Sequence, residues 1–316
     1  MDSTDWAPHV DELHLKALLA NSTISNDWSQ FPGLPFSFRF ESSFARNHHR
    51  QWMYHHWYIS VAISTIYVIL VLLGKWFMSR RSHGYNLRTP LAIWSSILAI
   101  FSIVGTIRCL PEFIHVIYSD GLYASYCKSS YFYDVRLTFW YWIFTWSKVA
   151  ELGDTAFIVL RKQRLITLHW VHHVLTLSYA FFVLGDVPGT ARWMVNMNFM
   201  IHSVMYTYYA LKAMKFEIPR FVAMFITLSQ ITQMCFGLYI NFYAYQFKTT
   251  GVLPCDLSLS TAAAGLFLYS IFFVLFIKFF FSAYNIWYKL DIIIKFIKDF
   301  LFPHSKEEAS LEKKLD

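Results

Sequence analysis

Three short patterns carry most of the ionisable residues inside the apolar body of this 316-residue chain. His169, His172 and His173 stand at i, i+3 and i+4. On a helix, His169 can therefore reach either partner, while His172 and His173 diverge by about 100°. Lys148, Glu151 and Thr155 fall within about 60° of one another and form a polar stripe, with Asp154 pointing elsewhere. Asn198, His202 and Tyr206 make a second stripe that drifts by about 40° per step. Imidazole moves protons near neutral pH, can act as a nucleophile and is the commonest metal ligand, so this set suits acid–base chemistry, nucleophilic catalysis or metal binding. Lys148 and Glu151 can pair at i,i+3 and lower each other's cost of burial, or serve only as an ion pair that holds helices together. Asp154 is placed to face an imidazole on the next segment. Asn198 and Tyr206 offer an amide and a phenol for orienting a reactant. Thr227, Gln230 and Gln233 form a weaker polar face, equally suited to interhelical hydrogen bonding.

The segments that must position these residues are membrane helices. The chain is 56% apolar and 20% aromatic with only 15% charged residues, which excludes a soluble globular domain. Apolar runs near the roughly 20 residues that span a bilayer fall at about 57–78, 91–110, 137–160, 165–184, 192–211, 221–243 and 260–285. Backbone groups in lipid must bond within their own segment, so these lengths predict seven transmembrane helices and an all-α integral membrane fold. Imidazoles and charges at that depth are costly unless they face the protein interior or a wet cavity, and this marks the three patterns as a functional site.

Arg80, Arg81 and Arg88 follow the first span, Arg161, Lys162 and Arg164 the third, and Lys212, Lys215 and Arg220 the fifth. The positive-inside rule puts these loops in the cytosol and predicts a luminal amino terminus and a cytosolic carboxyl-terminal tail carrying Lys289, Lys295 and Lys298. Arg39, Arg46 and Arg50 run against the rule, since they precede the first span on the luminal side. The organisation expected is an irregular luminal segment over 1–56, one membrane domain over 57–288, and a tail over 289–316. The first span is expected to serve as its own insertion signal, without a cleaved leader. Lys313-Lys314-Leu315-Asp316 reads as a retrieval address for the endoplasmic reticulum, or more plainly as a solvated charged tail. Asn21 opens an Asn-Ser-Thr glycosylation sequon that is usable in the lumen. Cys109 and Cys235 fall within spans, whereas Cys127 and Cys255 fall in two loops on the luminal side. A disulfide between these two is expected there, the alternative being two unrelated loop thiols.

Metal binding is the weaker reading of the imidazoles. Membrane di-iron desaturases and hydroxylases carry HxxHH clusters but need about eight histidines. Here only His169, His172, His173 and His202 group together, with His115 on a distant helix, so no metal is expected. A proton-coupled seven-helix transporter also accounts for buried ionisable residues, and a seven-helix receptor accounts for topology alone.

Taken together, HxxHH at 169–173, KxxExxDT at 148–155 and NxxHxxMYxYY at 198–209, in seven spans with a dilysine end, resemble the very-long-chain fatty acid elongase (ELO) family. The similarity covers about residues 55–288. His169-Trp170-Val171-His172-His173 and Ser229-Gln230-Ile231-Thr232-Gln233-Met234 are similar to the branch that elongates saturated and monounsaturated chains. The resemblance implies a condensing enzyme of the endoplasmic reticulum that joins long-chain acyl-CoA and malonyl-CoA into 3-oxoacyl-CoA, CO2 and CoA. It also implies a barrel of spans two to seven, with the first span outside, around an acyl tunnel sealed toward the lumen and open to the cytosol. A luminal disulfide of that barrel matches Cys127 and Cys255.

No cysteine is well placed to accept an acyl group, so the expected route is an acyl-imidazole on His172, with His202 and His173 moving protons and stabilising an enolate. His169 completes the box. Asn198, Tyr206 and Gln230 orient reactants, Asp154 fixes a histidine tautomer, and Lys148 with Glu151 holds the site. Arg161, Lys162 and Lys212 are candidates for docking the CoA phosphates, against the plain reading of positive-inside charge. No tightly bound cofactor is expected. The partners implied are acyl-CoA, malonyl-CoA, membrane lipid and the reductases and dehydratase that complete the cycle. A homodimer is left open, and no pattern points to nucleic acid.

Overall fold

A computed structural model of the protein describes residues 37–285, together with Ile294 and Ile297. Asn21, the tail lysines and the dilysine end lie outside the described residues. Apart from one 3-10 turn at Ser130–Tyr133, every regular element among them is an α-helix. In chain order these are α1 (Arg39–Ser42), α2 (Arg46–His56), α3 (Ile59–Ser79), α4 (Arg88–Ser119), α5 (Gly121–Cys127), α6 (Val135–Glu151), α7 (Gly153–Leu160), α8 (Thr167–Asp186), α9 (Ala191–Ala213), α10 (Arg220–Thr250) and α11 (Leu259–Ala283).

Each of the seven apolar runs is helical, and α3, α4, α10 and α11 are long and apolar enough to cross a membrane. The chain is therefore an all-α integral membrane protein. The other three runs fall short because they carry the chemistry. The histidines dilute the apolarity of α8, and Asn196, Asn198 and His202 do the same in α9. The run at 137–160 is divided into α6 and α7 at Leu152, where the N–H groups of Leu152 and Thr155 bond three residues back, to Val149 and Leu152. Gly153 makes the break possible. A Cβ there would lie 2.8 Å from the Trp94 ring, which rests on the glycine.

Six of the runs close into a ring. Going around it, α4 packs on α9, α9 on α10, α10 on α11, α11 on α8, α8 on α6, and α6 back on α4. The remaining helix, α3, sits outside against α7 and α8. Local signals delimit the staves. Asp134 caps α6 by accepting from Arg136 N at 2.8 Å, Ser258 Oγ caps α11 by accepting from Thr261 N at 3.1 Å, and Gly251 ends α10 with φ 68°.

One end of the ring is stapled shut. Cys127 and Cys255 form a disulfide between the end of α5 and the loop before α11. Asp256 N donates to Cys127 O at 2.7 Å, and Gly189 N donates to Asp256 O at 2.8 Å. Arg192 on α9 is fully buried beside this staple, donating to Glu112 of α4 at 3.1 Å and to the carbonyls of Ser125 and Lys128 at 2.9 and 2.8 Å. A guanidinium with this many acceptors ties three helices together without leaving a charge unpaired.

The described part of 1–56 is helical and docked, where an irregular segment was expected. Glu41 is completely buried and accepts from Trp140 Nε1 at 2.6 Å and from Arg108. Arg46 donates to Phe132 O and Tyr133 O, and Arg50 to Gly185 O. These bonds explain two of the arginines that run against the positive-inside rule. Arg46 and Arg50 satisfy helix-end and turn carbonyls instead of standing free in a loop.

Candidate active site

A cavity of ≈ 510 Å³ lies within the ring and reaches the loops at the end away from the disulfide. His169, His172 and His173 of α8 line it together with His202, Asn198 and Tyr206 of α9. Glu151 and Asp154 enter from the α6–α7 break, and Gln230 and Gln233 from α10. A smaller cavity of ≈ 40 Å³ adjoins it, sharing His172, Asn198, Gln233 and Met234, and continues among Phe144, Met194, Tyr179, Leu268, Tyr269 and Phe272. Lys148 lines this second arm. Thus the three sequence patterns meet in one place, and only Lys162 among the expected site residues lines neither cavity.

Lys148 is the hub. Its ammonium donates to Glu151 Oε1 at 2.6 Å and to Asn198 Oδ1 at 2.8 Å, and lies 4.3 Å from the centroid of the Phe144 ring. Asn198 Nδ2 lies 3.0 Å from His202 Nε2, and His202 Nδ1 is 3.7 Å from Glu151 Oε1. Because a lysine can only donate, the amide oxygen of Asn198 must face it, and the NH2 group must face His202. His202 Nε2 is then the acceptor, and its proton sits on Nδ1, toward the Glu151 carboxylate. Ser147 Oγ, 2.7 Å from Phe144 O, also lies 3.1 Å from the same Glu151 Oε1.

Asp154 differs from expectation. Among the described residues it bonds no imidazole. Oδ1 accepts from Trp94 Nε1 and Oδ2 from the Tyr206 hydroxyl, each at 2.7 Å. The reason is the break at Leu152, which re-aims the residues after it, and the Trp94 indole seated on Gly153. The group beside His169 is Thr155, whose Oγ1 lies 3.0 Å from Nε2.

Among the described residues, no hydrogen bond engages the ring nitrogens of His172 or His173. His172 is braced by contacts with carbon, its ring centroid 4.9 Å from Phe272 and 6.3 Å from Phe276, and by a T-shaped contact with His173 at 5.6 Å. Its ring faces both cavities. The cluster therefore holds an imidazole free to react, beside a second whose tautomer is set by an amide and a carboxylate.

Arg161 and Lys212 stand at the open end of the main cavity. Lys162 instead donates to Arg81 O at 2.6 Å, in a left-handed turn (φ 54°) that joins the loop after α7 to the loop after α3. Arg88, the first residue of α4, takes its place at the mouth. Sequence reading assigned Arg88 only to topology, and it passed over Trp94, Phe272 and Tyr67. Spacing puts Tyr67 on the Ser60 and Ser64 face of α3, but which neighbour that face meets, like the partners of Trp94 and Phe272, is set by packing. Among the described residues, no three His, Cys, Asp or Glu side chains converge as a metal site.

A ring of helices around imidazoles, an amide and paired charges defines an integral membrane protein with an internal polar cavity open at one end. The chain matches the family described as ELO, GNS1/SUR4 family, over residues 52–289, and it belongs to that family. It is 44% identical to very long chain fatty acid elongase 6 of Drosophila melanogaster over 263 residues, covering 83% of each chain. It is 40% identical to the elongase 6 of Gallus gallus and 38% to that of Homo sapiens, each over 78% of this chain and 92% of the relative.

Proposed function

We infer that the cavity is the site at which long-chain fatty acyl-CoA condenses with malonyl-CoA to give 3-oxoacyl-CoA, CO2 and CoA, the first step of microsomal fatty acid elongation. The chain is an enzyme of the 3-oxoacyl-CoA synthase type. The observation that carries the chemistry is the position of His172, unpartnered at the junction of a polar cavity and an apolar arm. The acyl chain points into the arm lined by Tyr179, Leu268, Tyr269 and Phe272, which must widen to take its length, with its thioester at His172 and the CoA portion running out past Arg161, Arg88 and Lys212.

A ring nitrogen of His172 attacks the thioester carbonyl. The C–S bond breaks, and CoA leaves as a thiolate that takes up a proton. Malonyl-CoA then loses CO2, and the electrons of the broken C–C bond form an enolate. The enolate carbon attacks the acyl-imidazole carbonyl, the C–N bond breaks, and the departing imidazole nitrogen takes up a proton, regenerating His172. His202, with its proton toward Glu151, and His173 manage protons and the enolate oxygen, while Asn198, Tyr206 and Gln230 orient the reactants.

Helices α6–α7, α8 and α9 cross the membrane together with the four apolar helices, giving seven spans with the amino terminus in the lumen and the tail in the cytosol. The ionisable residues of the three sequence patterns, carried on these helices, line the two cavities, which supports the assignment. The disulfide end then lies in the oxidising lumen, and the cationic mouth opens to the cytosol, where acyl-CoA resides. The membrane is that of the endoplasmic reticulum. The 3-oxo product passes to the reductases and dehydratase of the cycle.

The test is purified protein given acyl-CoA alone, followed by intact mass measurement. An adduct of one acyl group, equimolar CoA release and loss of both in His172→Ala are expected. Adding labelled malonyl-CoA to the isolated adduct should release CO2 and 3-oxoacyl-CoA. Turnover without any adduct, or an adduct that persists in His172→Ala, would sink the covalent route.

A further inference from the structure

The outermost helix, α3, contributes one group to the site. Most of its large side chains face outward, among them Ile66, Ile69, Leu70, Leu72, Leu73 and Trp76. Its buried positions are Ser60, Ser64, Tyr67 and Met78, so small hydroxyl residues line the face on α7 and α8, with Tyr67 beside them. The Tyr67 hydroxyl lies 2.7 Å from Thr155 Oγ1, and that oxygen is 3.0 Å from His169 Nε2. The His169 ring in turn meets that of His173 at 4.5 Å.

We propose that Tyr67 is a positioning residue for the reaction, holding His169 in a single tautomer through Thr155. Three proton arrangements fit the distances. In one, Tyr67 donates to Thr155 and Thr155 donates to His169 Nε2, so the His169 proton sits on Nδ1. In another, His169 donates to Thr155 and Thr155 to Tyr67, and the phenol proton has no acceptor among the described residues. In a third, Thr155 accepts from both and strands its own hydroxyl proton. The first leaves only His169 Nδ1–H, on a ring that lines the main cavity, whereas the others strand a proton of Tyr67 or Thr155, buried away from it; a buried donor without a partner is costly, so the first arrangement prevails. The direction of the whole chain is set by the phenol at its far end. Without it, the Thr155 hydroxyl could accept from His169 as readily as donate, and the tautomer would be free.

The inference rests on the reading of His169 as part of the reacting cluster, and its test separates the two. Nitrogen NMR of the full-length, histidine-labelled protein should show His169 bare at Nε2 and protonated at Nδ1, and Tyr67→Phe should show a mixture. Thr155→Ser should restore the tautomer that Thr155→Val loses. In the condensation assay, Tyr67→Phe should lower kcat about tenfold, the scale on which an outer partner tunes an imidazole. KM for both CoA substrates should not move. Adding Tyr67→Phe to Thr155→Val should cause no further loss. An unchanged tautomer, additive losses, or an effect confined to KM overturns the proposal. Failure of the wild type to form 3-oxoacyl-CoA would overturn the functional reading instead, and the tautomer measurement would still decide the role of Tyr67.

Discussion

Lys148 Nζ donates to Asn198 Oδ1 at 2.8 Å across the gap between α6 and α9, and this contact decides which end of the amide faces His202. Removing the ammonium has two separable effects. Lys148→Met strands the Glu151 carboxylate in the interior, at a cost of about 3–5 kcal/mol, and frees the Asn198 amide to turn. A large fall in thermal unfolding temperature and in kcat is expected. Lys148→Met combined with Glu151→Leu should recover most of the stability and none of the activity. Recovery of both together would show that the pair only holds helices.

Asp154 accepts from two donors, so Asp154→Asn must turn its NH2 toward either Trp94 or Tyr206. One buried donor loses its acceptor, worth about 1–3 kcal/mol. The expected result is about a tenfold loss of kcat. A double-mutant cycle with Tyr206→Phe should be non-additive, and full additivity would mean that the pair does not act as a unit.

The cations at the mouth divide into two groups. Arg161→Gln, Arg88→Gln and Lys212→Gln should each raise KM for acyl-CoA and malonyl-CoA by about three- to tenfold, with the effect shrinking as salt is added. Lys162→Gln should leave KM unchanged, because its ammonium is bonded to Arg81 O and lies off the cavity. Equal effects at all four positions would point to general surface charge.

Tyr269 lines the apolar arm, and its ring rests on Gly237, where a Cβ would come within 2.2 Å of a ring carbon. Tyr269→Ala should lengthen the arm and shift the product distribution toward longer acyl chains, read by chromatography of the products. Gly237→Ala should displace the ring and change the same distribution. Products of unaltered length in both variants would place the end of the chain elsewhere.

Much of the site was legible before any tertiary information. The i,i+3 pairing of Lys148 with Glu151 follows from helix periodicity, as does the shared face of Asn198, His202 and Tyr206. The Cys127–Cys255 disulfide follows from loop placement. The role of Asp154 was not legible, because a break of one residue at Leu152 turns everything beyond it away from the ideal helical angle.

The sequence by itself determined that the chain is a helical membrane protein with its imidazoles set on polar stripes of otherwise apolar helices, because apolar run length and the cost of burying charge are local properties. Tertiary structure alone decided that α4 lies between α6 and α9, which brings Arg88 to the mouth and Trp94 to Asp154. It also decided that α3 turns Tyr67 inward. Lipid and protein interior are similarly apolar, so hydropathy says little about how such a helix is rotated. Only the packing partner, with a hydroxyl to bond, sets that angle.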